Sequence, residues 1–367
     1  MKVLHVTTHM NIGGIGNYIL TLSAALKPKG VEAIVASGGG NLEEELDRLG
    51  ISHRRINIIT KSEISPKVLI SALALRKIIK REKVDIIHAH TRVSQAAALL
   101  ASLMTGVPFV TTCHGYFKTR MRKVFDTWGR KVIAISDAVK RHLALDLGVS
   151  DDRIELIYSG VDTEKFTRDY SAEEVDTIKR STGLRLSPVV GNIGRLSPVK
   201  GQKYLVEAMA GVLKKAPDAQ ALIIGDGEEK EALERQAREL GISQSVRFVR
   251  SMIDTPRMLP IMDVFVFPSV KEGLGMGLLE ALAAGRACVA SKVGGIEDII
   301  KDGYNGILTE VGDARGIAGA IISLLEDAEL RGRMGERGRN IVREKFALDT
   351  MADKVIGLYE NVCRPGR

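Results

Sequence analysis

Short runs of β-branched residues recur along this chain, separated by amphipathic stretches of helical period, and the whole alternation is carried out twice. A chain patterned this way is confined to parallel sheets covered by helices on both faces. In the first half the spacing predicts strands at Lys2–Thr8, Val31–Ser37, His53–Ile56, Asp85–Ala89, Pro108–Thr112, Lys131–Ile135 and Arg153–Tyr158. Helical patterns fill gaps between them, as at Ile15–Leu26, Pro66–Lys80 and Gln95–Met104, and Ser136 stands where an amino-terminal cap belongs. The second half restarts with strands at Pro188–Ile193, Ala219–Ile224, Val246–Val249, Val264–Phe267, Ala287–Ser291 and Gly306–Thr309. Its helices include Gln202–Lys214, Glu228–Leu240 and Gly277–Ala284, and the chain ends in Ala314–Glu326, Ala328–Phe346 and Leu348–Val362.

At 367 residues the chain is too long for one ordinary core and suits two domains. The polar, strandless stretch Phe166–Gly183 places the junction near its start, giving domains 1–165, with the returning helix 348–367, and 166–347. Doubling of the wound unit predicts a cleft between the carboxyl edges of two sheets. Apolar residues at 45% and charged residues at 27% exclude a disordered polymer, a collagen-like repeat and a coiled coil. The longest largely apolar run, Ala96–Met104, is too short to cross a bilayer. The amino terminus breaks at Asn11-Ile12-Gly13-Gly14 and reads as a buried strand, not a signal peptide. Cys113, Cys288 and Cys363 build neither a disulfide framework nor a zinc spacing, which points to the reducing cytoplasm.

The net charge of +8 is unevenly placed. Residues 1–165 carry 24 Lys/Arg against 16 Asp/Glu, whereas residues 166–367 balance at 29 against 29. Lys61–Lys83 and Tyr116–Lys131 concentrate the excess. With aromatics at only 4%, stacking platforms for nucleic acid are scarce, so anionic lipid headgroups or a phosphorylated acceptor fit the patch better than RNA.

Glycine-rich loops follow several of the predicted strands. After the first comes Gly13-Gly14-Ile15-Gly16, able to bring backbone N–H groups to a diphosphate at a helix amino terminus. The run lacks the third glycine of a dinucleotide fingerprint, and Ser37-Gly38-Gly39-Gly40 stands where an acidic residue would end strand two, so a dehydrogenase is disfavoured. In the second half, Gly194-Arg195 and Lys200-Gly201 put two cations on one strand–helix loop, where both can face a phosphate pair. Gly225-Asp226-Gly227 turns after the next strand. Glu272-Gly273-Leu274-Gly275-Met276-Gly277 follows Val264–Phe267, with Glu280 inside the ensuing helix. The loop and one helical turn can separate the two carboxylates by about a sugar–nucleoside span.

These motifs, together with His88-Ala89-His90, Cys113-His114-Gly115 and Gly160-Val161-Asp162, resemble the retaining, nucleotide-sugar-dependent glycosyltransferases of the GT-B fold, family 4, over nearly the whole chain. The resemblance implies an α/β architecture of two Rossmann-like, doubly wound domains facing across a cleft, with a carboxyl-terminal helix returning to the first domain. It implies that Arg195 and Lys200 neutralise the donor diphosphate and that Glu280 accepts the ribose hydroxyls. Glu272 contacts the transferred sugar, and the amides of Gly273, Leu274, Gly275 and Met276 lie beside it. Gly14 and Gly16 close over the diphosphate, His114 reaches the donor sugar, Gly225 lines the site and Met252 flanks the base. Gly294-Gly295-Ile296-Glu297 resembles a further signature of the family. Arg250 and Leu274 depart from its usual glycine and aromatic residue, which leaves base and sugar open.

The donor is then a substrate, UDP- or GDP-linked, with no cofactor. No Asp-x-Asp occurs to hold a divalent ion against a diphosphate, so a metal-independent reaction with retention is expected. Expected acceptors are lipid-linked, glycan or small-molecule hydroxyls in cell-envelope synthesis, with peripheral contact to anionic membrane at its inner face and no nucleic-acid partner. A nucleotide-sugar epimerase and a non-catalytic nucleotide-sugar-binding protein are the alternatives. His88 and His90, one face apart by period two, lack a third ligand and read as structural. Ser136-Asp137 reads as a helix cap, and Glu43-Glu44-Glu45 as a solvated first helical turn.

Overall fold

The computed structural model describes residues 1–117, 126–250 and 255–364. These form two compact units, Met1–Gly160 with Leu348–Arg367, and Val161–Ala347.

In the first unit, seven strands pair in parallel: β1 (Lys2–Val6), β2 (Glu32–Ser37), β3 (Ser52–Arg55), β4 (Ile86–Ala89), β5 (Phe109–Cys113), β6 (Lys131–Ala134) and β7 (Ile154–Leu156). Their spatial order is β3-β2-β1-β4-β5-β6-β7, so the winding reverses between β1 and β4. Side-chain alternation sends Leu4, Val6, Ile87 and Ala89 to one face, under helices Pro66–Glu82 and Arg92–Thr105. It sends Val3, Ile86, Val110 and Ile133 to the other, under helices Gly14–Leu26 and Leu348–Cys363. The last helix thus belongs to the first unit's core, with Met351, Val355 and Tyr359 buried.

The second unit holds six parallel strands: β8 (Val189–Ile193), β9 (Gln220–Ile224), β10 (Val246–Val249), β11 (Val264–Phe267), β12 (Ala287–Ser291) and β13 (Ile307–Thr309). Their order, β10-β9-β8-β11-β12-β13, reverses between β8 and β11. Val190, Ile223, Val264 and Val266 pack against helices Gln202–Val212, Lys230–Glu239 and Ala314–Glu326. Both units are therefore doubly wound, Rossmann-like α/β folds.

Every expected strand is present, with ends that move by at most two residues. The helix read as Gln95–Met104 begins earlier, at Arg92, because Thr91 and Ser94 form a reciprocal capping box. Ser136 does cap its helix, accepting from Val139 N at 3.1 Å. Glu43 departs from the solvated turn expected of it. It accepts from Gly40 N and from Arg55, both at 2.8 Å, and so ties the turn after β2 to β3. Among the described residues no helix is long and apolar enough to cross a membrane.

Candidate active site

In a doubly wound sheet the loops on either side of the reversal diverge and leave a crevice at the carboxyl ends of the strands. In the second unit those loops are Gly194–Gly201 after β8 and Pro268–Gly275 after β11, the two that carry the predicted charges. Lys200 Nζ donates to Glu272 Oε2 at 2.5 Å, and Ser269 Oγ donates to the same oxygen at 3.3 Å. The ammonium also lies 5.4 Å from the Phe267 ring centre. Glu272 is only 12% exposed, so its carboxylate is held in one place. Arg195 is exposed, and its guanidinium makes no ion pair among the described residues. The two predicted cations are thus unequal: one is locked to a carboxylate and one is unengaged.

Glycines let these loops nest. A Cβ on Gly225 would lie 1.9 Å from Gly194 O, and one on Gly227 2.0 Å from Leu196 O. Both loops could not occupy this space with side chains there. A Cβ on Gly295 would meet Gly273 O at 2.2 Å, and Gly295 N donates to Glu272 O at 3.3 Å. The Gly294-Gly295 pair is therefore the seat of the Glu272 loop. Gly275, at φ +111°, turns that loop into the helix Met276–Ala283 and offers no side-chain cap, which leaves the first amides of the helix open. Leu274 is 1% exposed, so its side chain is core and only its backbone can meet a ligand. Met276, the first helical residue, is half-buried.

Glu280 sits one turn into that helix. Burial raises its carboxyl to about 7, opposed by a hydrogen bond from Thr255 Oγ1 at 3.3 Å and by the charge of Lys165. Neither partner is marked by a motif, and Thr255 lies beyond a strand in a segment with no distinctive spacing. Met252 lies outside the described residues.

The first unit's reversal carries neutral groups. β1 and β4 pair His5 with His88, and alternation puts His90 on the same face, beside His114 at the end of β5. His5, His88 and His90 are buried, with a ring nitrogen of each within 4.8 Å of the others. His5 is thus the third histidine that the sequence did not reveal beside the His88–His90 pair. His88 bonds Tyr359 Oη at 2.6 Å and Thr112 Oγ1 at 2.7 Å. His90 bonds His5 at 3.0 Å and His114 at 3.1 Å, and the Tyr18 ring stands edge-on to His114. Burial lowers His5 and His114 to about 3 and His88 and His90 well below their usual range, so all four rings are uncharged at neutral pH.

The loop after β1 is pinned by the loop after β2: Ile12 N donates to Asn41 Oδ1 at 2.8 Å and Asn41 N to Asn11 Oδ1 at 3.2 Å. A Cβ on Gly16 would lie 2.2 Å from Asn11 O, so Gly16 admits the loop's own backbone. At Gly14 that space is open, and the helix it starts has no side-chain cap.

The model of glycosyl transferases group 1 matches residues 175–341, and that of glycosyltransferase family 4 matches residues 12–165. The lipopolysaccharide core biosynthesis glycosyltransferase LpsE of Rhizobium meliloti is 30% identical over 98% of both chains. The chain is a family 4 glycosyltransferase. An N-acetyl-alpha-D-glucosaminyl L-malate synthase of Bacillus anthracis is 29% identical, over 97% of this chain and 95% of its own. The crystal structure of Anabaena HepE in complex with UDP-glucose shares the fold with a TM-score of 0.87, at 23% identity over 98% of this chain and 100% of its own. The chemistry of this family is glycosyl transfer, and two GT-B-type Rossmann-like units are its frame.

One surface of the glycosyltransferase is unusual. Ile59, Ile64, Leu69, Ile70 and Leu73 are all exposed by 45–76%, on and just before the helix Pro66–Glu82. Lys61, Lys67, Arg76, Lys77 and Lys80 are exposed among them. This is the apolar complement to the first of the two basic segments. Part of the second lies outside the described residues.

Proposed function

We propose that this glycosyltransferase moves a sugar from a nucleoside diphosphate donor, UDP-linked in the first instance, to a hydroxyl acceptor with retention of configuration and without a metal ion. The observation that carries this reading is the Lys200–Glu272 pair beside the unengaged Arg195, at the reversal of the second sheet. Arg195 is free to fork onto a diphosphate. Lys200 has three N–H donors, so it can keep Glu272 in place and still donate to a phosphate oxygen. Glu280, half-buried one turn into the helix, accepts from the ribose hydroxyls, and the amides at Gly275–Gly277 stand beside the sugar. Within the first unit, Gly14 has open space beside its backbone and His114 is a neutral imidazole, the two groups that the family resemblance assigns to the donor.

In the reaction the bond from the anomeric carbon to the phosphate oxygen breaks, and the acceptor oxygen bonds to that carbon on the same face. The acceptor's proton passes to the departing phosphate. Charge growing on that phosphate is met by Arg195, Lys200 and the open amides, which are in place before the reaction begins. Replacing Glu272 by Gln or Ala is expected to abolish transfer, while unchanged turnover would remove this site from the reaction.

A second reading concerns the acceptor. The exposed isoleucines and leucines of 59–73, set among lysines and arginines, match an interfacial surface that inserts apolar side chains and pairs its cations with anionic headgroups. A lipid-linked or membrane-adjacent glycan acceptor fits such a surface, in keeping with the name of the R. meliloti relative. Co-sedimentation with phosphatidylglycerol vesicles, and its loss in the Leu69→Glu, Leu73→Glu variant, is the expected result. Equal binding to neutral vesicles would discard the electrostatic part.

A further inference from the structure

His5, His90 and His114 form a file of imidazoles. His5 Nδ1 lies 3.0 Å from His90 Nε2, and His90 Nδ1 lies 3.1 Å from His114 Nε2. Each link needs one proton. A neutral His90 has only one to give, so the two links must point the same way. In one direction His5 donates from Nδ1, His90 donates from Nδ1, and the proton of His114 sits on its own Nδ1. In the other direction every proton moves to Nε2. The far end of the file then decides. His5 Nε2 is buried and has no hydrogen-bond partner among the described residues. A proton there would be an N–H sealed from any acceptor, whereas a bare lone pair in the same place is the better tolerated defect.

We propose that His5 and His90 are positioning residues that fix the tautomer of His114, so that His114 presents Nδ1–H as a standing donor. Its functional consequence rests on the reading that His114 meets the donor sugar. Neutrality of the file follows from the burial of His5 and His90 on the sheet face beneath helices Gly14–Leu26 and Leu348–Cys363, and from the desolvation that lowers half-buried His114. His88 stands outside the file, since both its nitrogens bond hydroxyls that can donate or accept, and so it imposes no direction. The same arrangement argues against a metal at His5, His88 and His90, because His5 Nε2 is the only nitrogen of the three without a partner.

The test is a long-range ¹H–¹⁵N correlation spectrum of the full, ligand-free chain at pH 7.5, with each histidine assigned by single substitution. His5, His90 and His114 are expected to be neutral and protonated at Nδ1. In His5→Phe the His114 signals should become a mixture of tautomers, and kcat should fall roughly 3- to 10-fold with donor KM little changed. His5→Asn, whose amide N–H stands near the lost Nδ1–H, should restore both. Three results would overturn the inference: an Nε2-protonated His114 in the unaltered chain, an unchanged His114 tautomer in His5→Phe, or zinc co-purifying in stoichiometric amount. None of them would touch the donor-site reading. Conversely, wild-type turnover in Glu272→Gln would sink that reading and leave the tautomer result standing.

Discussion

The two units share one strand order and one reversal point, yet they fill it with opposite chemistry. At the reversal of the first sheet lie His5, His88 and His90, all buried, with His114 half-buried one strand on, and desolvation keeps the four rings uncharged. At the reversal of the second lie Arg195, Lys200 and Glu272, partly or wholly open to solvent, with Glu280 in the adjoining helix. A doubly wound sheet fixes where a ligand can bind and leaves open what binds it. The difference is one of electrostatic labour. Charges proposed to meet a charged ligand stand where water can reach them, while the neutral rings of His5, His88 and His90 are sealed in.

This contrast is breakable in order of expected effect. Glu272→Gln should cost transfer about 100-fold or more in kcat, because it removes both a held carboxylate and the partner of Lys200. Arg195→Ala should follow, lowering kcat/KM by about 10- to 100-fold through a lost charge-assisted fork, with the loss masked as salt rises. Both are read by steady-state kinetics. Glu280→Gln should weaken donor binding by about 10-fold in calorimetry. His114→Phe, deleting one neutral hydrogen bond, should cost the least, about 3- to 10-fold. A larger effect at His114 than at Arg195 would reverse the assignment of roles.

Glu280 sharpens the same comparison through stability. Its folded carboxyl is raised to about 7 by burial, above its value in the unfolded chain. The folded state therefore holds the proton more tightly, and stability present below about pH 4.5 is lost as pH rises toward about 7. Glu280→Gln should remove that decline, so its melting temperature should match the parent at pH 4.5 and exceed it at pH 8. A parallel fall in both proteins would contradict the burial of that carboxyl.

Much of this was legible in the sequence, for physical reasons. Strands buried on both faces write continuous β-branched runs, which is why the central strands stood out, whereas the helix after β4 starts earlier than its apolar pattern because capping at Thr91 decides it. Loop residues at strand ends were legible because glycine beside charge has few structural uses. What escaped was whatever depends on register between distant strands. His5 becomes the neighbour of His88 only when β1 and β4 pair, and no spacing along the chain announces it. The ion pair of Lys200 with Glu272 joins residues seventy-two apart, so two groups read separately as a phosphate ligand and a sugar ligand proved to be one unit. Leu274, whose amide was read beside the sugar, packs its side chain inward and leaves only that backbone to meet a ligand.

In the proposed reaction, fixed cationic side chains grip a sugar-bearing diphosphate. Calorimetric titration of UDP-, GDP- and ADP-sugars into the full chain with a chelator present tests it most directly. Saturable heat is expected with one of these donors, undiminished by chelation and abolished when Arg195 and Lys200 are both replaced by Ala. No heat with any donor, or heat that disappears with the chelator, would contradict it.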